Sequence, residues 1–128
     1  MITVDTSALM AILLDEAEAE ACIAALITAD RLLISAGTVA ETLIVAGRRN
    51  VGEEAAKLVT GMGFEVVPVT VATAKDIAEA YAQWGKGVHP AALNFGDCFA
   101  YQLARQNRCR LLYVGNDFAM TDVEAVGR

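Results

Sequence analysis

Short apolar runs that stop at a carboxylate or a hydroxyl, each separated from the next by helix-like stretches, restrict this chain to one kind of architecture. Ile2-Thr3-Val4 ends at Asp5, and Leu111-Leu112-Tyr113-Val114 runs out into Gly115-Asn116-Asp117-Phe118. Arg31-Leu32-Leu33-Ile34-Ser35 and residues 64–69 read as two further strands. Pro68 removes a ladder donor and places the second of these at a sheet edge. Helices are expected over residues 8–14, with Thr6 and Ser7 as N-caps, then over 17–28, from Gly37-Thr38 to Gly47, and over 53–60. A fifth, over 72–84, carries Ile77, Ala80, Tyr81 and Trp84 on one stripe, and a sixth opens near Gly96-Asp97. A turn and a short last strand follow Thr121-Asp122-Val123. Strands alternating with helices make βαβ units, hence an α/β three-layer sandwich whose parallel sheet is covered on both faces. In such sheets the working crevice lies beyond the carboxyl ends of the strands. Asp5 and Asp117 fall at such ends.

Composition narrows the function. The chain has 128 residues, 55% of them hydrophobic and 20% charged, enough for one well-filled core and one domain over 1–128. No apolar run approaches the roughly 20 residues of a membrane helix, and the start lacks the basic region of a secretory signal. Three cysteines, Cys22, Cys98 and Cys109, have no metal-like spacing and read as buried thiols in a reducing cytoplasm. A net charge of −6 argues against binding nucleic acid through a broad basic surface. Any such contact must be local, through a metal or through small clusters such as Arg48-Arg49, Lys86 or Arg105-Arg108-Arg110. Phosphate-loop, serine-elbow and dinucleotide motifs are all missing, and the one histidine, His89, sits in a Gly/Pro loop where local bonding is expected.

Asp5, Glu41, Asp97 and Asp117 remain as the chemistry-bearing set. Singly, each has an ordinary reading: Asp5 as a helix cap, Thr38-x-x-Glu41 as a capping box, Asp97 as a first-turn acid, Asn116-Asp117 as an Asx turn. Jointly, several carboxylates on one buried rim repel one another unless a cation offsets the charge. Oxygen-only ligands suit Mg²⁺ or Mn²⁺ and phosphate chemistry. The expectation is therefore a four-carboxylate cage for a divalent ion.

Four stretches resemble a known family. Asp5-Thr6-Ser7-Ala8, Glu41 in the third helix, Lys86-Gly87-x-His89-Pro90-Ala91-Ala92-Leu93-Asn94-Phe95-Gly96-Asp97-Cys98, and Gly115-Asn116-Asp117-Phe118-x-x-Thr121-Asp122 are similar to the PIN-domain ribonucleases, specifically the VapC-type toxins of bacterial toxin–antitoxin pairs. The resemblance implies strand order 3-2-1-4-5 and an endoribonuclease dependent on Mg²⁺ or Mn²⁺. It places the four acidic positions on Asp5, Glu41, Asp97 and Asp117, with Asp5 and Asp97 as metal ligands. Ser7, Asn116 and Asp122 match supporting polar positions, and Thr6 is taken with them. It further implies hydrolysis of RNA to 3′-hydroxyl and 5′-phosphate ends, a cognate VapB-type antitoxin and a homodimer. Apolar residues Ile12, Leu13, Ile44 and Val45 are candidates for the antitoxin groove or for ordinary core. Two alternatives compete. A haloacid-dehalogenase-type Mg²⁺ phosphatase needs an acid two residues after Asp5, where Ser7 stands. An acidic binding module without catalysis is the other.

Overall fold

In the computed structural model, which describes residues 1–127, strands of three or four residues suffice because every one of them is tied to its neighbour in a continuous parallel sheet. Strands β1 (Ile2–Val4), β2 (Leu32–Ser35), β3 (Glu65–Val67) and β4 (Arg110–Leu112) lie in the order β3-β2-β1-β4. Thr3 pairs with Leu33 on one side and Leu111 on the other, and Ile34 pairs with Val66. Helices α1 (Thr6–Leu13) and α2 (Ala19–Thr28) connect β1 to β2, α3 (Ala36–Arg48) and α4 (Gly52–Gly61) connect β2 to β3, and α5 (Val71–Trp84) and α6 (Phe95–Gln106) connect β3 to β4. A single 3₁₀ turn, Phe118–Met120, follows β4.

The side-chain period of two divides the core. Ile2, Val4, Leu32, Ile34 and Leu112 pack with Ala8, Leu9, Cys22 and Leu26 of α1 and α2. Leu111 and Tyr113 face the other way, onto Ile77 and Ala80 of α5 and Cys98, Ala100, Tyr101 and Ala104 of α6. Near-continuous apolar strands are what a sheet buried on both faces requires. No helix among the described residues is long and apolar enough to cross a membrane.

Several expectations shift in detail. The sheet has four strands, and the fifth position is held by one parallel bridge, Leu111 with Ala125. There the Leu111 amide donates to Glu124 O at 2.8 Å and the Val126 amide to Leu111 O at 3.1 Å. β4, three residues long, carries no more ladder than that. Strand β3 is confined to the edge and stops before Pro68, with Arg31 gripping Glu65 through two 2.8 Å bonds. The N-cap of α1 is Asp5, not Thr6 or Ser7. Ser35, not Thr38, caps α3, so the Thr38–Glu41 capping box does not form. Ile12, Leu13 and Val45 pack against core clusters, whereas Ile44 is exposed. Residue 128, the last of the expected domain span 1–128, lies outside the described residues.

Candidate active site

The order of the strands locates the site. From β1 the chain winds through β2 to β3 on one side, then returns to place β4 on the other side of β1. The connections leaving β1 and β4 therefore diverge, opening a crevice at the carboxyl ends of these two strands. Asp5 follows β1 directly, and residues 114–117 follow β4.

Asp5 is 3% exposed. Its extended backbone lets its carboxylate cap α1: Oδ2 accepts the Ser7 amide at 3.0 Å and the Ser7 hydroxyl at 2.6 Å. The same Ser7 Oγ accepts the Val114 amide at 3.0 Å, so one hydroxyl joins the exits of β1 and β4. Oδ1 of Asp5 is buried and has no hydrogen-bond partner. Burial pushes the Asp5 carboxyl up to about 7; the Ser7 bonds oppose this, and the charges of Asp97 and Glu41 add to it.

Asp97 arrives from α6. Asn94 Oδ1 accepts the Asp97 amide at 2.8 Å, and Asp97 Oδ2 accepts the Asn94 amide at 3.0 Å, a reciprocal capping box. This fixes the carboxylate at the start of the helix and engages only Oδ2. Burial raises its pKa to about 6; the Asn94 amide opposes the rise, and the charges of Asp117 and Glu41 reinforce it.

Glu41 is delivered by α3. Its Oε1 accepts the Thr6 hydroxyl at 2.6 Å, and its carboxylate lies against Gly96 so closely that a Cβ there would overlap it. Gly96 is thus required for α3 and α6 to bring Glu41 to the N-terminal end of α6, where the helix dipole favours a negative charge. Asp117 begins the 3₁₀ turn and is exposed; its charge is felt at Asp97.

Asp5, Glu41, Asp97 and Asp117 therefore share one electrostatic neighbourhood at the switch point, in a looser arrangement than a ready-made cage. Among the described residues, no three His, Cys, Asp or Glu side chains are placed to hold one ion together. Local partners hold the acids apart: Thr6 draws Glu41, Ser7 draws Asp5, and Asn94 draws Asp97. The donor set still fits Mg²⁺ or Mn²⁺. Such ions take one or two carboxylates and keep several waters, and the unpartnered Oδ1 of Asp5 is an anionic oxygen with no donor.

The supporting residues divide. Thr6 and Ser7 bond to the acids, as described. Asn116 is exposed beside Asp117. Asp122 stands elsewhere: its Oδ1 accepts the Tyr101 hydroxyl at 2.6 Å and its Oδ2 lies 3.5 Å from Arg105. Arg105 is eight residues beyond Asp97 on α6, about 12 Å along the axis, so Asp122 braces the far end of that helix. His89 is held locally, its Nδ1 accepting the Ala91 amide at 3.0 Å and its ring edge-on to Trp84. Asn94 and Gly96 belong to the stretch that carries the resemblance, but the sequence assigns neither of them a role. The Asn94-x-x-Asp97 spacing was a legible capping signal; nothing local marks Gly96, because its role is set by a helix far away in sequence.

A PIN domain family model matches residues 2–124. Ribonuclease VapC28 of Mycobacterium tuberculosis is 43% identical over 125 residues, covering 94% of each chain. Ribonuclease VapC36 of the same organism is 43% identical over 129 residues, 97% of this chain and 92% of that protein. Among solved structures, the Mycobacterium tuberculosis toxin VapC20, described as cleaving the sarcin-ricin loop, superposes with a TM-score of 0.81 over 98% of both chains at 18% identity. VapBC2 of Rickettsia felis, bound to a DNA fragment from its promoter, gives 0.70 at 13% identity, over 98% of this chain and 96% of that one. Strand order, site position and these similarities agree: the chain belongs to the PIN domain family, among the VapC ribonucleases.

Proposed function

We infer that this chain is a metal-dependent endoribonuclease that hydrolyses RNA phosphodiesters as the toxic member of a VapBC-type pair. The observation that carries the reading is the pair of buried carboxylates at the switch point, Asp5 with an unpartnered oxygen and Asp97 locked by its own cap. Asp5 and Asp97 would hold Mg²⁺ or Mn²⁺ with waters filling the remaining positions. Such an ion supplies charge neutralisation at the phosphate and acidifies a water to the point of nucleophilicity at neutral pH.

The chain's own groups account for the rest. Ser7 fixes the rotamer of Asp5 and ties it to β4, so the two strand ends keep one spacing. Glu41, anchored through Oε1 and with its other oxygen over Gly96 at the start of α6, accepts a proton from the attacking water. Asp117, exposed at the mouth, orients that water from the opposite side. Water attacks phosphorus, the bond from phosphorus to the 3′ oxygen breaks, that oxygen takes a proton from solvent at the open mouth, and the products carry a 3′-hydroxyl and a 5′-phosphate. A histidine pair is not needed for this route, and His89 is committed to Ala91 and Trp84.

An acidic rim of this kind also suits a partner's arginine or lysine, which can bond the carboxylates in charge-assisted fashion and keep substrate out. A VapB-type antitoxin and a homodimeric toxin complete the proposal. The two VapBC structures from Rickettsia felis and Salmonella typhimurium, each a toxin with its antitoxin on DNA, support the pairing.

The test is to express the chain and its Asp97→Asn and Asp5→Asn variants in cells and sequence newly formed 5′-phosphate RNA ends. Discrete new ends are expected with the parent chain alone. Equal cutting by either folded variant would remove the basis of the reading. Co-expression with the product of the neighbouring gene should suppress the cuts.

A further inference from the structure

Aromatic residues are few in this chain, and apart from Tyr81, 40% exposed, and Phe95, 71% exposed, they are buried or half-buried. Phe95 is the first residue of α6, two positions before Asp97 and in the same helical turn. Phe99, one turn on, meets its ring edge-to-face at a centroid distance of 4.9 Å, which fixes the orientation of the Phe95 ring. Beside them lies a shallow pocket of about 280 Å³, lined by Gly37, Ala40, Glu41, Ile44, Phe95 and Phe99. Gly37 is needed there because the Phe99 ring occupies the space a Cβ would take. Ile44, 59% exposed, forms the opposite apolar wall. Glu41 belongs both to this pocket and to the acidic rim. The pocket is thus continuous with the reaction site, and an exposed apolar patch in that place calls for an occupant.

We propose that Phe95, flanked by Ile44, is a stacking platform for one unpaired nucleobase of the RNA, adjacent to the phosphodiester that is cut. This rests on the ribonuclease reading and specifies how its substrate is held. The acidic chain offers little electrostatic grip on a phosphate backbone, so affinity has to come from elsewhere. Aromatic stacking provides it without regard to charge, since every base has a π-face. Stacking also requires a splayed, single-stranded base, so the site selects loops and unpaired segments over duplex. Glu41 lines both the pocket and the acidic rim, so a base resting on Phe95 sits beside a phosphate held at that rim.

Binding is read without cleavage by titrating a 2-aminopurine-labelled single-stranded RNA with the Asp97→Asn chain, which also carries one repelling charge fewer. Stacking is expected to quench the fluorophore. Adding Phe95→Ala should abolish the quench and weaken binding on the order of 10- to 100-fold, while Phe95→Trp retains both. In the chain with Asp97 intact, Phe95→Ala should raise KM for RNA by a similar factor and change kcat far less. Circular dichroism controls for folding, which an exposed side chain at a helix start leaves intact. Unchanged quenching and affinity in folded Phe95→Ala overturns the proposal, and does so whether Phe95 then proves to matter for self-association or for binding a protein partner. A Phe95-dependent quench with no RNA cleavage by the parent chain would sink the ribonuclease reading and leave the stacking site standing. Cleavage with Phe95-independent binding would do the reverse.

Discussion

Asp5 and Gly96 show how much of the site is decided by single residues. Asp5 carries a buried carboxyl whose pKa is about 7 in the folded chain against 3.8 for the free side chain. A carboxyl with a raised folded pKa binds its proton more tightly when folded. Its contribution to stability is therefore fully present below about pH 4 and is lost as pH rises through 7. Asp97, raised to about 6, acts in the same direction. Urea melts of the metal-free protein should accordingly show the unfolding midpoint falling between about pH 4 and pH 7, and Asp5→Asn should flatten that slope. A midpoint rising with pH over this range would contradict the burial that sets the shift. Gly96 makes a different prediction. The group that a Cβ at 96 would strike is the mobile end of Glu41, so Gly96→Ala should cost little stability, under about 1 kcal/mol, because the side chain can swing aside. The displaced carboxylate should nonetheless lower kcat tenfold or more, on the scale expected for a misplaced general base. Large destabilisation with activity per folded molecule preserved would show that Gly96 serves packing alone.

At the scale of the element, α6 does two jobs. Its first turn carries Asn94, Phe95, Gly96 and Asp97, and the remainder supplies Ala100, Leu103 and Ala104 to the core. The cap at its start is therefore part of the site. Replacing Asn94 with Ala removes the acceptor for the Asp97 amide, and the expected loss is about 1 kcal/mol in a chemical melt. kcat/KM should fall several-fold beyond what stability explains, since losing this bond loosens the turn in which the Asn94 backbone amide holds the Asp97 carboxylate. Serine, a competent cap, should restore both. The middle of the helix is held separately, through Tyr101 to Trp84 and Asp122, each bond under 3 Å.

For the whole molecule, the fold gathers negative charge from four distant segments at one end of the sheet, and this is a standing electrostatic cost. A divalent cation bound there would offset it in the folded state only. Magnesium at a hundredfold excess over its dissociation constant should add about 2.7 kcal/mol of stability, several degrees in Tm. Calorimetry on the parent chain and on the Asp5→Asn, Asp97→Asn double variant decides the point: the shift should be present in the first and gone in the second. An equal shift in both would assign the cation to some other surface.

The alternation of apolar strands with helices and the edge position enforced by Pro68 follow from local chemistry, which is why they are legible in the amino-acid order; the four acidic positions are legible only jointly and through the resemblance of the stretches around them. Hydrophobic period and proline geometry act over a few residues and do not depend on what the rest of the chain does. The caps were less legible. Asp5 and Ser35, each a single residue before its helix, took the role that Thr6, Ser7 and Thr38 matched equally well. Only the tertiary structure decided that Asp122 bonds to Tyr101 far from the other acids, that Glu41 rests on Gly96, and that the fifth strand is reduced to one bridge. These are contacts between segments tens of residues apart, fixed by which helices cross and how closely. A side chain's identity states what it can bond, and the packing of the sheet and helices determines which of its possible partners comes within reach.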